Sequence, residues 1–219
     1  MKTAPSRNLP SDNEPKPRWE RRKDARPVEL LAAALQLFAD KGYAGTRLED
    51  VAAQAGVSKG TLYLYFENKE ELFKAVVREN VVALISRSAG EVSHYTGSSA
   101  ELLAYLITAW WHEYGNTPAG SLGKLIIAES GNFPELARFF HDEVIRPWHE
   151  VLAAAVRRGI ERREFRAMDP ALIVRVIAAP LVMLSLWTRS FGPCSNESVD
   201  AEAYIAAHVD MVLAGLRRG

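Results

Sequence analysis

Leu48-Glu49-Asp50-Val51-Ala52-Ala53-Gln54-Ala55-Gly56-Val57-Ser58-Lys59-Gly60-Thr61-Leu62-Tyr63-Leu64-Tyr65-Phe66 is the stretch on which the reading of this chain turns. Leu48, Val51, Ala52 and Ala55 recur at i, i+3, i+4 and i+7, the spacing of one helical face. Thr46 with Glu49 three residues on has the pattern of a capping box, so a helix is expected over about 47–55. Gly56, lacking a Cβ, suits the left-handed backbone of a sharp turn, and Val57 can plug the core. Ser58 can then cap a third, very short helix that reaches about Tyr65. Two short helices joined by a tight turn, packed through small alanines, have the dimensions of a DNA-binding helix-turn-helix.

Outward from that centre, Leu31, Ala34, Leu35 and Phe38 define a preceding helix over about Pro27–Lys41, with Gly42 as its stop. Asn68 with Glu71 signals a following helix. The rest also reads as helix, because no period-two alternation is long enough to suggest a sheet. Starts are expected at Ser98 with Glu101, at Asn132 ahead of Pro134, and at Asp169 with Pro170; loops are expected at 115–120 and 191–198. Pro147 is expected to kink the long helical stretch from Pro134 to Glu164, and a last helix runs over about Val199–Arg217. The fold class expected is therefore all-α.

Composition narrows the possible functions. Hydrophobic residues make up 48% of the 219 and charged ones 25%, which places the chain among soluble globular proteins. The apolar stretch from Val176 to Trp187 is interrupted by Pro180 and falls short of the roughly 20 residues of a membrane span, so no membrane partner is expected. No apolar run follows the early basic residues, and a cytoplasmic location is expected. The single Cys194 can form no internal disulfide; bystander and oxidation sensor both remain open for it. Net charge is zero, so a nucleic-acid partner must be argued from local charge. Residues 1–26 hold eight basic side chains (2, 7, 16, 18, 21, 22, 23, 26) against four acids (12, 14, 20, 24) and read as a disordered basic arm, either a solubilising tail or a phosphate-steering segment.

The third helix would enter the major groove. Ser58 and Thr61 can bond to phosphates or base edges, Lys59 brings charge, Gly60 permits close approach, and Tyr63 and Tyr65 can donate to phosphate. Leu62 and Phe66 are assigned to packing, while Leu64 can fall on either face. Thr46 and Arg47 at one helix start and Lys69 at another stand where phosphates meet positive helix ends.

Gly42-Tyr43-Ala44-Gly45-Thr46, Val51-Ala52, Ala55 through Tyr63, Tyr65-Phe66 and Asn68-Lys69-Glu70-Glu71-Leu72 together strongly resemble the N-terminal domain of the TetR/AcrR family over about Pro27–Val77. The resemblance implies DNA contacts at Thr46, Lys59, Gly60, Thr61, Tyr63, Tyr65 and Lys69, and leaves the operator open because Leu64 and Glu67 vary in that family. Phe133-Pro134-Glu135-Leu136-Ala137-Arg138-Phe139-Phe140-His141 is similar to a segment of AcrR-like C-terminal domains. The family further implies a C-terminal ligand-binding and dimerisation domain. The expected organisation is thus an arm (1–26), a three-helix helix-turn-helix domain (27–75) and a helical effector and dimer domain (76–219). Dimerisation would use the last two helices, with Ile173, Val176, Ile177 and Val182 as interface residues.

The chain is then expected to be a homodimeric repressor on double-stranded, palindromic operator DNA, released by a small apolar or aromatic effector. Trp110, Tyr114, Phe133, Phe139, Trp148 and Trp187 are candidates for the effector pocket, each of them equally at home in an ordinary helical core. No catalytic residue, cofactor or metal is expected: His112, Glu113, His141, Asp142 and His149 lack metal-ligand spacing. Arg157, Arg158, Arg162 and Arg163 read as a solvated helix face. The rival reading is a helical metabolite-binding or catalytic protein with a vestigial helix-turn-helix, against which Lys59, Tyr63 and Lys69 argue.

Overall fold

A computed structural model describes residues 18–196 and 199–218, with side chains from Pro27 onward. Helix α1 spans Arg18–Gly45 and leaves helical geometry at Gly42, whose φ of 72° is the left-handed stop the sequence predicts. It starts before the expected Pro27, so 18–26 of the proposed arm are helical backbone; the rest of that arm lies outside the described residues. The composition of 18–26, four arginines with one Lys, one Glu and one Ala, favours helix, and Pro27 is carried inside it with the loss of one backbone hydrogen bond. Next come α2 (Leu48–Gln54), α3 (Lys59–Tyr63) and α4 (Lys69–Val77). Leu30, Ala34 and Phe38 of α1 pack with Val51 and Ala52 of α2, Leu62 of α3 and Leu72, Phe73 and Val76 of α4, all buried. Phe38 meets Phe73 edge-on at 5.3 Å, so truncation of Phe38 to alanine would cost about 3–5 kcal/mol.

A π turn, Arg78–Val82, joins α4 to α5 (Ala83–His94) as one helical rod over 69–94. Such a turn takes in one residue more than an α-helix needs and leaves a carbonyl to be satisfied. Asn80 Nδ2 donates to Val76 O at 2.8 Å across it. Helix α6 (Ser99–Trp110) opens on the predicted capping box, with Ser98 and Glu101 bonded both ways, and ends in a second π turn, Trp111–Gly115. Helices α7 (Gly120–Glu129) and α8 (Pro134–Phe140) follow; Phe133, not Asn132, occupies the N-cap of α8. A third π turn, His141–Ile145, leads into α9 (Arg146–Glu161). This π turn stands directly before Pro147, which falls in the first turn of α9, where the sequence predicts a kink.

Helix α10 (Pro170–Ser190) is capped by Asp169, and α11 (Ala201–Leu216) by Asp200. Contrary to the sequence expectation, α10 is long and apolar enough to cross a membrane by length and composition, with a mean hydropathy of 2.0. Its buried side, Val174, Ile177, Leu181 and Leu184, belongs to the same core as α6 and α9, as in a helical bundle. No strand occurs among the described residues, and an isolated bridge joins Phe165 to Arg217. Arg158 is no solvated side chain: its guanidinium donates to Tyr95 O, Gly97 O and Ser99 Oγ, tying α9 to the loop between α5 and α6.

Candidate functional site

Two arrangements in this fold can meet another molecule. In the first, α2 ends on a bond from Val57 N to Ala52 O of 2.9 Å, and Gly56 at φ 66° makes the turn. Ser58 Oγ caps α3 by accepting from Thr61 N at 3.1 Å and shares a second hydrogen bond with Thr61 Oγ1 at 2.9 Å. Leu62 is buried beneath, which turns Ser58, Lys59, Gly60 and Tyr63 outward. The ambiguity at Leu64 is resolved: it is 83% exposed, at the C-cap of α3 beside Tyr63 at 44%. Thr61 and Tyr65 are partly buried, and Arg47, the N-cap of α2, is exposed with no side-chain cap bond.

Lys59 Nζ forms an ion pair with Glu49 of α2, which raises the lysine pKa and lowers that of the carboxyl, and it lies 5.7 Å from the Tyr63 ring centre. The sequence offers no sign of this partner, because Glu49 is there assigned to a capping box that does not form. Thr46 is the reason. Its side chain is buried, with Oγ1 donating to Leu37 O at 3.1 Å and Gly42 O at 2.7 Å, so the hydroxyl can neither cap α2 nor reach a phosphate. Lys69 needs a similar correction: Nζ donates to Tyr43 O at 2.8 Å and Thr46 O at 3.1 Å and sits 4.5 Å over the Tyr43 ring. Burial lowers its pKa, and the ammonium fastens α4 to the end of α1 instead of facing outward.

The second arrangement is a cavity of about 170 Å³ within the C-terminal helices. Of the six aromatic candidates, Trp110, Tyr114 and Trp148 line it. Phe133 instead packs edge-on against Tyr43 at 4.8 Å, Phe139 lies under Arg78 at 5.2 Å, and Trp187 rests on Phe191 at 5.4 Å. Each of these three has found a ring or cation outside the cavity, which residue type alone could not foretell. The remaining wall is largely aliphatic, and all three π turns contribute to it: Val81 from the first, Tyr114 from the second, Val144 and Ile145 from the third. Burial pushes the Tyr114 hydroxyl up, and His149 is held below its ordinary pKa by burial and by the charges of Arg175 and His141.

The family described as bacterial regulatory proteins, tetR family, matches residues 30–76, and the tetracyclin repressor-like C-terminal domain matches 94–212, more than half of the chain. The chain belongs to the TetR family. Among its TetR-family relatives, the Bacillus subtilis regulator YfiR is 33% identical over 112 residues, 42% of this chain and about half (55%) of that protein. The repressor KstR2 of Mycolicibacterium smegmatis is 27% identical over 88% of this chain and 91% of its own length. The crystal structure of FadR from Bacillus subtilis with stearoyl-CoA superposes with a TM-score of 0.64 at 21% identity, covering 87% of this chain and 99% of the other.

In this TetR-family fold the last two long helices present a bare apolar surface. Only 33% of the most apolar window of α10 is buried within the chain. Leu172, Val176 and Met183 of α10 and Tyr204 and Met211 of α11 are exposed at helical spacing, with Met211 at 74%. Of the four expected interface residues, Val176 is on this surface at 60% exposure and Ile173 is partly buried beside it. Ile177 is in the core, and Val182 is exposed at the cavity wall. Leu172, four residues before Val176, and Met183, seven after it, carried the signal that would have found the stripe. Among the described residues no group of three or more His, Cys, Asp or Glu could hold a metal.

Proposed function

We propose that this chain is a cytoplasmic, homodimeric transcriptional repressor that binds a palindromic operator through α3 and is released by a small, mainly apolar molecule in the C-terminal cavity. The observation that carries this reading is the outward face of α3: hydroxyls, an ammonium, a glycine and an exposed leucine on a helix whose opposite side is anchored by Leu62. Ser58, Lys59, Gly60, Thr61, Tyr63 and Leu64 are the groups offered to bases and phosphates, with Arg47 and Tyr65 at the flanks. Two copies joined through the α10 and α11 stripe would set two such helices roughly 34 Å apart, one turn of the duplex.

The cavity supports the effector half of the proposal. A partly open, mainly apolar space of about this size can accept a small apolar molecule. Relatives are described as regulators of fatty acid metabolism and ketosteroid response, and one neighbour holds stearoyl-CoA. A molecule that fits the cavity better in one setting of the 69–94 rod than in another would change operator affinity by linkage. A gel-shift series on the DNA flanking its own coding region, run at rising salt, tests the DNA reading. Binding should weaken steeply as counterions are released, and Lys59→Ala should lose most of the specific complex. Salt-insensitive or absent binding would sink the proposal.

A further inference from the structure

Among the described residues, two cations near the apolar cavity form no ion pair: Lys124, exposed at the surface, and Arg189, partly buried. Lys124 of α7 lines the cavity and also a second, more open cleft between α1 and α7, which holds Gln36, Asp40, Ser121, Leu125, Glu129 and Arg189. Its Nζ donates to Arg189 O at 3.0 Å. The Arg189 guanidinium donates to Ser185 Oγ at 3.0 Å and to the carbonyls of Ser185 and Thr117, and a Cβ built on Gly120 would sit 2.7 Å from its Nη2. Ser185 and Gly120 are themselves part of the cavity wall. The guanidinium is therefore wedged where the cavity and the cleft adjoin. Burial lowers its pKa against a smaller opposing effect of Tyr114, as for a charge partly withdrawn from water.

The cleft's own carboxylates do not fill that role. Asp40 accepts from Gln36 Nε2 at 3.0 Å and Glu129 from Asn132 Nδ2 at 3.1 Å. Among the described residues neither is within ion-pair distance of Lys124 or Arg189, which donate to carbonyls and a hydroxyl. A partly buried guanidinium held by dipoles alone is costly unless an anion arrives to pair with it.

From this juxtaposition we infer that the effector is an amphipathic anion: its apolar body fills the cavity among Trp110, Trp148 and Leu181, and its acidic head group is held by Lys124 and Arg189 in the cleft against α1. The inference rests on the reading of the cavity as the effector site and adds the chemistry of the ligand. It also gives the head group a place beside the helix that carries the helix-turn-helix, because Gln36, Phe38 and Asp40 of α1 form the opposite wall of the cleft.

Decanoate and 1-decanol, which share an apolar chain and differ in head-group charge, are the probes. Trp110 and Trp148 report on the cavity through their fluorescence, and each probe is titrated into wild type, Lys124→Met and Lys124→Arg, with circular dichroism as the check on folding. Wild type is expected to bind decanoate about ten-fold more tightly than decanol, the scale of one charge-assisted contact. Lys124→Met should bring the two within about two-fold, and Lys124→Arg should restore the preference. Decanol binding as tightly as decanoate, or a preference indifferent to Lys124→Met, would overturn the anionic head group and leave the apolar effector cavity standing. Failure of both probes to bind would remove the cavity reading and this inference with it, while operator binding in the gel shift would be unaffected.

Discussion

At the scale of single residues, the outward face of α3 is regulated by its own neighbour. Glu49 holds the ammonium of Lys59 and adds a negative charge where a phosphate would come. Glu49→Gln should therefore raise operator affinity, most clearly at low salt, in an anisotropy titration; unchanged or weaker binding would show that the pair orients Lys59 for DNA. Leu64, exposed and apolar, has the chemistry to touch a thymine methyl group. Replacing operator thymines by uracil should weaken wild type and leave Leu64→Ala indifferent at the contacted positions. Lys69→Met should lower stability by about 1–2 kcal/mol in denaturant unfolding, since several carbonyls lose a charged donor at a partly exposed site. Legibility at this scale followed sequence distance. The caps Ser58 and Asn68 have partners three residues on and could be read directly. Thr46 and Lys69 look outward in a sequence because their true partners lie 9 and 26 residues back, across the turn that ends α1.

At the scale of elements, helices announced themselves by period and by their ends, as the reciprocal Ser98 and Glu101 bonds illustrate. The π turns did not. Such a turn absorbs its extra residue locally and no residue type marks where it falls; in the first of them Asn80 donates to a carbonyl of the preceding turn. The cavity was half legible for the same reason: aromatic type suggested a pocket, but which rings enter it depends on how those turns rotate their helices. The α10 and α11 stripe yields a sharper expectation. Met183→Glu with Met211→Glu places like charges on a surface proposed to meet its own copy, and sedimentation should show a monomer where wild type shows a dimer. A wild-type monomer at micromolar concentration would count against the interface, and so against the two-helix reading of DNA.

For the molecule as a whole, two partly buried imidazoles set an acid limit. His149 and His208 are both held below the ordinary histidine value of 6.5 by burial. As pH falls through that value the unfolded chain gains protons that the folded one does not, so stability declines from there toward the folded pKa values. Glu143, kept low by Arg78, adds a second loss as pH falls from the ordinary carboxylate value toward its own lower one. Denaturant unfolding at pH 7.5 and 5.5 should give the smaller free energy at 5.5, and His149→Gln should narrow the gap; equal values at both would contradict it. The rod over 69–94 has a different kind of tolerance built in. Shortening an α-helix by a residue swings everything beyond it by about 100° and throws its contacts out of phase. Within 78–82 the chain already carries a residue in excess, so excising one there would simply relax the segment to ordinary pitch, with both flanks still in phase. The join between the helix-turn-helix and the cavity proposed for the effector is thus the one place along that rod where a codon could be lost and the architecture kept, with the shape of the cavity wall at Val81 as what changes.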